Sequence, residues 1–339
     1  MPDYSVIVPV WNAEQTLPLC LAALEQQSLD RNRYEIIVVD DGSTDQTAEA
    51  VRQFPAVRYV FQENQGPAAA RNRGAALAEG SLIFFTDADC VPDPNWLEDI
   101  TAPFARPEVA AVKGGYRTEQ QSIVARFTQL EFEERFRMLA QQDSIDMIAT
   151  YSAGFRKEIF TRLGGFDTRF PEANNEDTEF SYRMSEQGYT MIFVPKASVR
   201  HLNHPDSVRR YFHIKFGRGY WRMMVYRLYP GKMLKDSYTP QSLKLQILAL
   251  FCAIASLPLL PFLPRVGLTV LLASVLFFLL QTISFTKEAF KKDRQVAMLA
   301  PFMLALRAAA IGGGVLWGLA AMKTGRDCFR RRSRSRANG

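Results

Sequence analysis

The run EIIVVDDGSTDQT, residues 35–47, passes from an almost uninterrupted apolar strand into two aspartates, a glycine and a polar turn. Comparable strand-like and helical patterns alternate through the first 90 residues, with strands at 4–10, 57–62 and 81–89 and helices around 14–28, 44–54 and 67–79. Apolar strands that alternate with helices form parallel sheets covered on both faces. The sequence therefore predicts an α/β domain with a mostly parallel sheet flanked by helices.

The carboxyl ends of the predicted strands lie at 9–12, 40–43 and 87–89, and two of these three ends are acidic. Ligands of parallel sheets bind at this edge. Two explanations remain open for the acidic run at 40–43, because a helix cap and a glycine turn need the same residue types as a ligand site. No G-x-G-x-x-G follows the first strand, so a dinucleotide-binding fold is disfavoured.

The motif TDADC, residues 86–90, gains its meaning from its position. About one D-x-D is expected by chance in a chain of this length and ordinary composition. Here the two carboxylates leave the sheet where an apolar strand ends, and carboxylate oxygens suit a hard divalent cation. A cation at that edge could neutralise a departing diphosphate.

A second acidic group, NNEDTEFSYRM at 174–184, begins a predicted helix. Acidic side chains offset the positive end of a helix dipole, which is the structural explanation. The functional explanation is a general base for an incoming nucleophile.

The charge and hydropathy of the chain change at about Leu243. Three apolar segments follow, at about 243–263, 266–286 and 296–322, and about 20 helical residues suffice to cross a bilayer. The third segment contains Arg307 and the run GGGVLWG, whose glycines predict close helix packing rather than phosphate binding.

The formal charge of +6 does not indicate nucleic-acid binding, because residues 323–339 carry seven basic residues against one acidic residue and account for all of it. An anionic membrane surface is the expected partner of this tail. The four cysteines show no C-x-x-C spacing, and no signal peptide precedes the first strand, so we expect reduced thiols and a cytosolic domain.

Two further helices are predicted between the sheet and the apolar segments. Residues 122–139 form an amphipathic helix, for which core packing is favoured over contact with the bilayer. Residues 207–232 interleave basic and aromatic side chains, a pattern suited to the lipid headgroup layer and also to single-stranded nucleic acid. The apolar segments that follow favour the membrane.

These motifs, in their order, resemble glycosyltransferase family 2, the inverting nucleotide-sugar transferases of the GT-A fold. The resemblance covers about residues 4–203 and rests on SVIVPVWN, IIVVDDGSTDQT, NQGPAAARNRG, FFTDADC, VKGG, SAGFRKEIFTRLGGFD, NNEDTEFSYRM and GYTMIFVPKASVRH. It implies a donor site in which Pro9, Asp41 and Arg71 surround the nucleotide base and ribose. Asp87 would face the ribose or the metal.

The same resemblance implies that Asp89 binds a divalent metal, Mg²⁺ or Mn²⁺, and that Asp177 is the general base, with Glu176 as an orienting neighbour. His201 stands at the predicted end of a strand, where some GT-A enzymes supply a further metal ligand. An ordinary surface histidine is the alternative at this position.

The predicted function is transfer of one sugar from a nucleotide-sugar donor to a membrane-associated, polyprenyl-linked acceptor, in cell-surface polysaccharide or glycolipid synthesis. A processive synthase and a non-catalytic nucleotide-sugar-binding membrane protein are the alternatives. The chain has FGRGYW where processive relatives carry Q-x-x-R-W, which favours a single transfer.

The expected organisation is a transferase domain at 1–205, a basic-aromatic interfacial region at 206–240, a membrane region at 241–325 and a basic tail at 326–339. We expect a multi-pass inner-membrane protein with the catalytic domain in the cytoplasm. Arg307 is costly at mid-bilayer, and a third crossing would export the basic tail against the positive-inside tendency. The third apolar segment is therefore expected to be re-entrant or interfacial.

Overall fold

The computed structural model describes residues 2–170 and 174–324, so the expected basic tail at 326–339 lies outside the described residues. The chain divides into two compact units. The sheet unit comprises residues 1–119, 136–204 and 231–238, and the helical unit comprises residues 120–135, 205–230 and 239–339. This division differs from the expected boundaries at two segments, 120–135 and 231–238.

Eight strands form one mixed sheet: β1 (Tyr4–Val10), β2 (Tyr34–Asp41), β3 (Val57–Gln62), β4 (Leu82–Phe85), β5 (Cys90–Pro92), β6 (Val109–Arg117), β7 (Ala153–Arg156) and β8 (Thr190–His201). Their order is β3-β2-β1-β4-β7-β6-β8-β5. The first four strands are mutually parallel, as predicted. Strand β7 is antiparallel to β4 and β6, β8 is parallel to β6, and β5 is antiparallel to β8.

The helices are α1 (Leu17–Glu25), α2 (Thr47–Arg52), α3 (Pro67–Leu77), α4 (Trp96–Thr101), α5 (Ile123–Leu139), α6 (Lys157–Arg162), α7 (Glu176–Glu186), α8 (Val208–Leu228), α9 (Pro230–Leu234), α10 (Gln241–Ser256), α11 (Pro264–Lys292) and α12 (Arg294–Thr324). Helices cover the sheet, and every residue of β1 after Tyr4 is buried, as its apolar sequence requires. The prediction of an α/β sheet domain followed by a helical apolar region is confirmed.

Among the described residues, three helical stretches are long and apolar enough to cross a membrane: Gln241–Leu259, Pro264–Lys292 and Arg294–Thr324. They match the three predicted segments. Helix α12 is one continuous helix, so the structure does not show a re-entrant break in it. Half of its most apolar window is buried, against 11% for α11, so α12 is the most enclosed of the three by protein.

A buried ionic cluster in the helical unit explains how α12 accommodates an arginine. Arg307 donates to Glu131 of α5 at 3.0 Å and to Gln246 of α10 at 2.9 Å. Lys215 of α8 lies 2.8 Å from the same Glu131 carboxylate. Burial opposes ionisation of Glu131, but Lys215, Arg307 and Arg135 together hold its pKa well below the usual range. Arg307 is therefore paired inside the protein instead of facing lipid.

Helix α5 packs into this unit, which confirms the expectation of core packing for the amphipathic helix. Its residues Val124 and Phe127 join a buried cluster with Tyr211 of α8 and Phe285 of α11. Glycines allow α8 and α12 to approach closely: a Cβ at Gly314 would lie 2.1 Å from the Phe216 carbonyl oxygen. The predicted packing role of the glycine run is confirmed.

This contact generates the first prediction. Gly314→Ala should destabilise the protein by about 1–3 kcal/mol, because the added methyl group meets backbone atoms of α8 that cannot give way. Gly313→Ala is the matched control, since its Cβ would meet only the Phe216 ring at 3.4 Å. Thermal unfolding of the full chain in detergent should show a lower melting temperature for Gly314→Ala alone. Equal melting temperatures would contradict the packing assignment.

Candidate active site

Two neighbouring cavities lie at the carboxyl ends of the parallel strands. The first, of about 550 Å³, is lined by the four predicted donor-binding residues, Pro9, Asp41, Arg71 and Asp87, among others. The second, of about 490 Å³, is lined by Asp89, and Pro9 and the exposed Trp11 contribute to both. The structure thus brings the predicted donor and metal residues to one edge of the sheet.

Arg71 connects this edge to the start of α7. Its Nη2 donates to Asp87 Oδ1 at 2.9 Å, and its Nη1 donates to Glu176 Oε1 at 2.7 Å. The guanidinium and the Glu176 carboxylate are buried, whereas the Asp87 side chain is 30% exposed and lines the first cavity. One buried cation therefore joins the D-x-D motif to the second acidic motif.

Asp41 shapes the wall of the first cavity through the loop that leads into α3. Its Oδ1 accepts from Gln62 Nε2 at 2.7 Å and from the Gln65 N–H at 2.9 Å, and its Oδ2 accepts from the Gly66 N–H at 2.8 Å. Gly66 has φ +93°, a conformation that favours glycine. A carboxylate oxygen accepts about two hydrogen bonds, so Oδ2 keeps capacity for a ligand N–H.

The three carboxylates at the start of α7 have different partners. Glu176 binds Arg71, and Glu179 binds Arg183 one turn later on the same helix. Asp177 accepts the Thr178 N–H at 2.6 Å and forms no ion pair with any residue of the described chain. It is half-buried beside the Arg71 bridge, which leaves this carboxylate available for a proton.

Aromatic packing fixes α7 in the sheet unit and thereby positions Asp177. Phe180, one turn after Asp177, packs against Phe155 of β7 and Phe160 of α6, with ring centroids 5.6 and 5.0 Å away. Burial raises the pKa of Glu176 to about 7, Arg71 opposes the rise, and the neighbouring Asp177 carboxylate adds to it. The start of α7 thus places two neighbouring carboxylates, Glu176 and Asp177, beside one buried guanidinium.

Asp89 and His201 meet across the β5–β8 pair, in which Cys90 lies opposite His201. His201 Nε2 is 3.6 Å from Asp89 Oδ1, and potential ligand atoms of Asp89, Cys90 and His201 lie within 4.8 Å of one another. The Asn203 N–H donates to His201 Nδ1 at 3.0 Å, which orients the ring. The carboxylate suits Mn²⁺ or Mg²⁺, whereas an imidazole also suits Zn²⁺ and other transition metals.

Sequence reasoning missed two features of this site. The first is the position of Cys90 opposite His201, which depends on the short strand β5, a strand with no sequence signal of its own. Burial raises the pKa of the Cys90 thiol, which disfavours a thiolate there. Trp11 was not selected either, although it is 60% exposed at the rim of both cavities. An exposed tryptophan directly after a buried strand is the signal that could have drawn attention to it.

The mixed sheet and its flanking helices form a fold of the GT-A type. Residues 5–164 match the family model for glycosyl transferase family 2.

Relatives of known name agree with this placement. Glycosyltransferase AglE of Haloferax volcanii is 29% identical over 57% of this chain and 64% of its own length. Validoxylamine A glucosyltransferase of Streptomyces hygroscopicus subsp. limoneus is 30% identical over 56% of this chain and 49% of its own length. The chain thus covers less than two thirds of the length of these relatives.

A solved structure shares the fold over nearly the whole chain. It is the mannosyltransferase PcManGT of Pyrobaculum calidifontis in complex with GDP-Man and Mn²⁺, with a TM-score of 0.59 and 22% identity. The similarity covers 94% of this chain and 87% of that one. It therefore supports the GT-A assignment and includes the helical region.

The Arg71 bridge generates the second prediction. At a pH well above 7, Arg71→Met should destabilise the protein by about 3–5 kcal/mol, because it leaves the buried Glu176 carboxylate without its cation. Arg71→Met combined with Glu176→Gln should be less destabilised than Arg71→Met alone, since the uncompensated charge is also removed. Melting temperatures of the three chains test this, and additive losses in the double variant would contradict the pairing.

Proposed function

We propose that this chain transfers a single sugar from a nucleotide-sugar donor to a membrane-associated, polyprenyl-linked acceptor, with inversion at the anomeric carbon. The observation that carries the proposal is the Arg71 bridge, which joins Asp87 of the D-x-D motif to the helix that presents Asp177. Donor-site and base motifs, distant in sequence, thereby belong to one site.

In this reaction Asp177 accepts the proton of the acceptor hydroxyl as that oxygen forms its bond to the anomeric carbon. The bond from that carbon to the diphosphate oxygen breaks on the opposite face, and the nucleoside diphosphate leaves with the electron pair. Asp41 and Pro9 bind the nucleotide in the first cavity. Arg71 keeps Asp87 in place at the cavity wall.

Asp89 and His201, with Asp87 as a further candidate, are the residues that would hold a divalent cation. Such a cation, when bound, supplies positive charge to the leaving diphosphate. The Mn²⁺ named for PcManGT supports this assignment. The GDP-Man of that complex makes nucleotide sugars the class of donor to test first.

The third prediction separates the roles of the two acids. Asp177→Asn should lower turnover by at least about 100-fold, the usual scale for general acid–base residues. Asp89→Ala should also lower turnover, because the cation that neutralises the leaving diphosphate is lost. Asp89→Ala should also weaken donor binding, whereas Asp177→Asn should leave it nearly unchanged, because only the proton acceptor is lost. A panel of nucleotide sugars with Mn²⁺ identifies the donor by hydrolysis, and calorimetry with that donor measures binding.

Glu186→Gln is the control, because it removes an exposed carboxylate from the far end of the same helix. It should retain turnover. Normal turnover by Asp177→Asn would contradict the general-base assignment.

The membrane part of the proposal is supported by the helical unit. The chain leaves the sheet unit at His204 and returns to it at Gly231, so helix α8 has both ends tied within four residues to one folded unit. Such a helix cannot cross the bilayer. Residues Ile311–Gly318 of α12 pack alongside α8, at Gly219 and at Met223. We infer that α10 and α11 span as a hairpin and that α12 does not complete a third crossing.

The fourth prediction tests this topology. Alkaline phosphatase fused after Gly339 in a bacterial host should be inactive, because the tail stays in the cytoplasm. A fusion after Phe262, between α10 and α11, should be active, because that turn is exported. Activity at Gly339 would establish a third crossing and overturn the inference for α12.

A further inference from the structure

A buried lysine lies behind the candidate cation site. Lys113 of β6 is fully buried, and its Nζ donates to the Tyr151 hydroxyl at 2.8 Å. The same Nζ is 5.7 Å from the centroid of the Tyr238 ring, which is buried as well. Burial of an ammonium group is expensive unless its charge and hydrogen bonds are used.

Tyr151 is linked through one intervening residue to each half of the candidate cation site. Its carbonyl oxygen accepts from Thr86 Oγ1 at 3.0 Å, and Thr86 directly precedes Asp87. Its ring packs on Tyr116 at 4.7 Å, and Tyr116 meets the His201 ring edge-on at 5.0 Å. Displacement of Tyr151 would therefore act on the D-x-D segment and on the histidine together.

The lysine is followed by a glycine that this arrangement requires. A Cβ at Gly114 would lie 1.9 Å from Ser152 Oγ and 2.1 Å from the Ala197 carbonyl oxygen. Ser152 Oγ donates to that carbonyl and accepts from Trp96 Nε1. These two hydrogen bonds hold the turn at Thr150–Ser152 in place. The hydrogen bond from Lys113 then fixes the hydroxyl of Tyr151, the central residue of this turn.

We propose that Lys113 is a positioning residue for the cation site: by holding Tyr151, it sets the separation between the D-x-D segment and His201. The inference rests on the proposed function, because it takes Asp89 and His201 as the cation ligands. Residues that orient the ligands of a metal typically contribute 10–100-fold to its affinity. The effect of Lys113 should therefore appear in cation binding itself.

The test measures Mn²⁺ binding by the full chain in detergent, from the electron paramagnetic resonance signal of free Mn²⁺, without donor or acceptor. Lys113→Met should weaken Mn²⁺ binding about tenfold, at the lower end of that range. Tyr151→Phe keeps the ring on Tyr116 and removes only the hydroxyl, so it should weaken binding in the same direction. The double variant should bind Mn²⁺ no more weakly than the weaker single variant, because the two residues act as a pair.

Lys215→Met is the matched control, because it makes the same substitution at another buried lysine, in the helical unit. It should leave Mn²⁺ affinity unchanged whatever its effect on the melting temperature. Should Lys113→Met fail to fold, Tyr151→Phe carries the test alone.

Asp89→Asn distinguishes failure of the two proposals. If it abolishes Mn²⁺ binding while Lys113→Met and Tyr151→Phe bind normally, the positioning role is overturned and the cation site stands. If Asp89→Asn binds Mn²⁺ like the unaltered chain, the cation site itself is overturned, and with it this inference.

Discussion

A single buried guanidinium joins the two acidic motifs of the candidate site. Arg71 is almost completely buried, so its charge requires carboxylates at hydrogen-bond distance. It takes one from a strand end, Asp87, and one from a helix start, Glu176, which lies 105 residues away in sequence. Leaving the buried Arg71 or Glu176 unpaired would be costly, and this ties the carboxyl edge of the sheet to the helix that carries Asp177. Sheet order, helix packing and the placement of the proposed base all have to satisfy this one pairing.

The parts of the fold that local sequence determines were predictable. Strands β1 and β3 have the predicted bounds, because β-branched runs between turn residues define them without help from the rest of the chain. The second half of the sheet was not predictable in the same way. Strand β5 has only three residues, and its position beside β8 comes from long-range pairing that no local pattern encodes. The contact between Asp89 and His201 depends on that pairing.

The candidate site shows the same division. Asp41, Asp87 and Asp89 stand out in the sequence because acidic residues at buried strand ends are conspicuous, and the family resemblance assigns them roles. Their hydrogen-bond partners could not be predicted from the sequence: Asp41 accepts three hydrogen bonds from Gln62, Gln65 and Gly66. Lys113 likewise has no distinguishing sequence pattern, and only the structure shows that it is completely buried. Sequence reasoning finds groups that chemistry needs. It does not find the residues that position those groups, because positioning depends on long-range packing.

Helix α12 illustrates how hydropathy and pairing give different answers. Taken alone, Arg307 in an apolar segment predicts a charged side chain near the centre of the bilayer, which is energetically costly. For that reason the sequence predicts a third segment that is re-entrant or interfacial. The helix is continuous, and the charge is offset by Glu131, a residue 176 positions earlier in the chain. An apolar helix with a paired arginine and glycines on one face is suited to packing against other helices. The apolar side chains of α12 are therefore explained by burial in protein as much as by contact with lipid. A helix with basic side chains, α8, can pack beside it for the same reason.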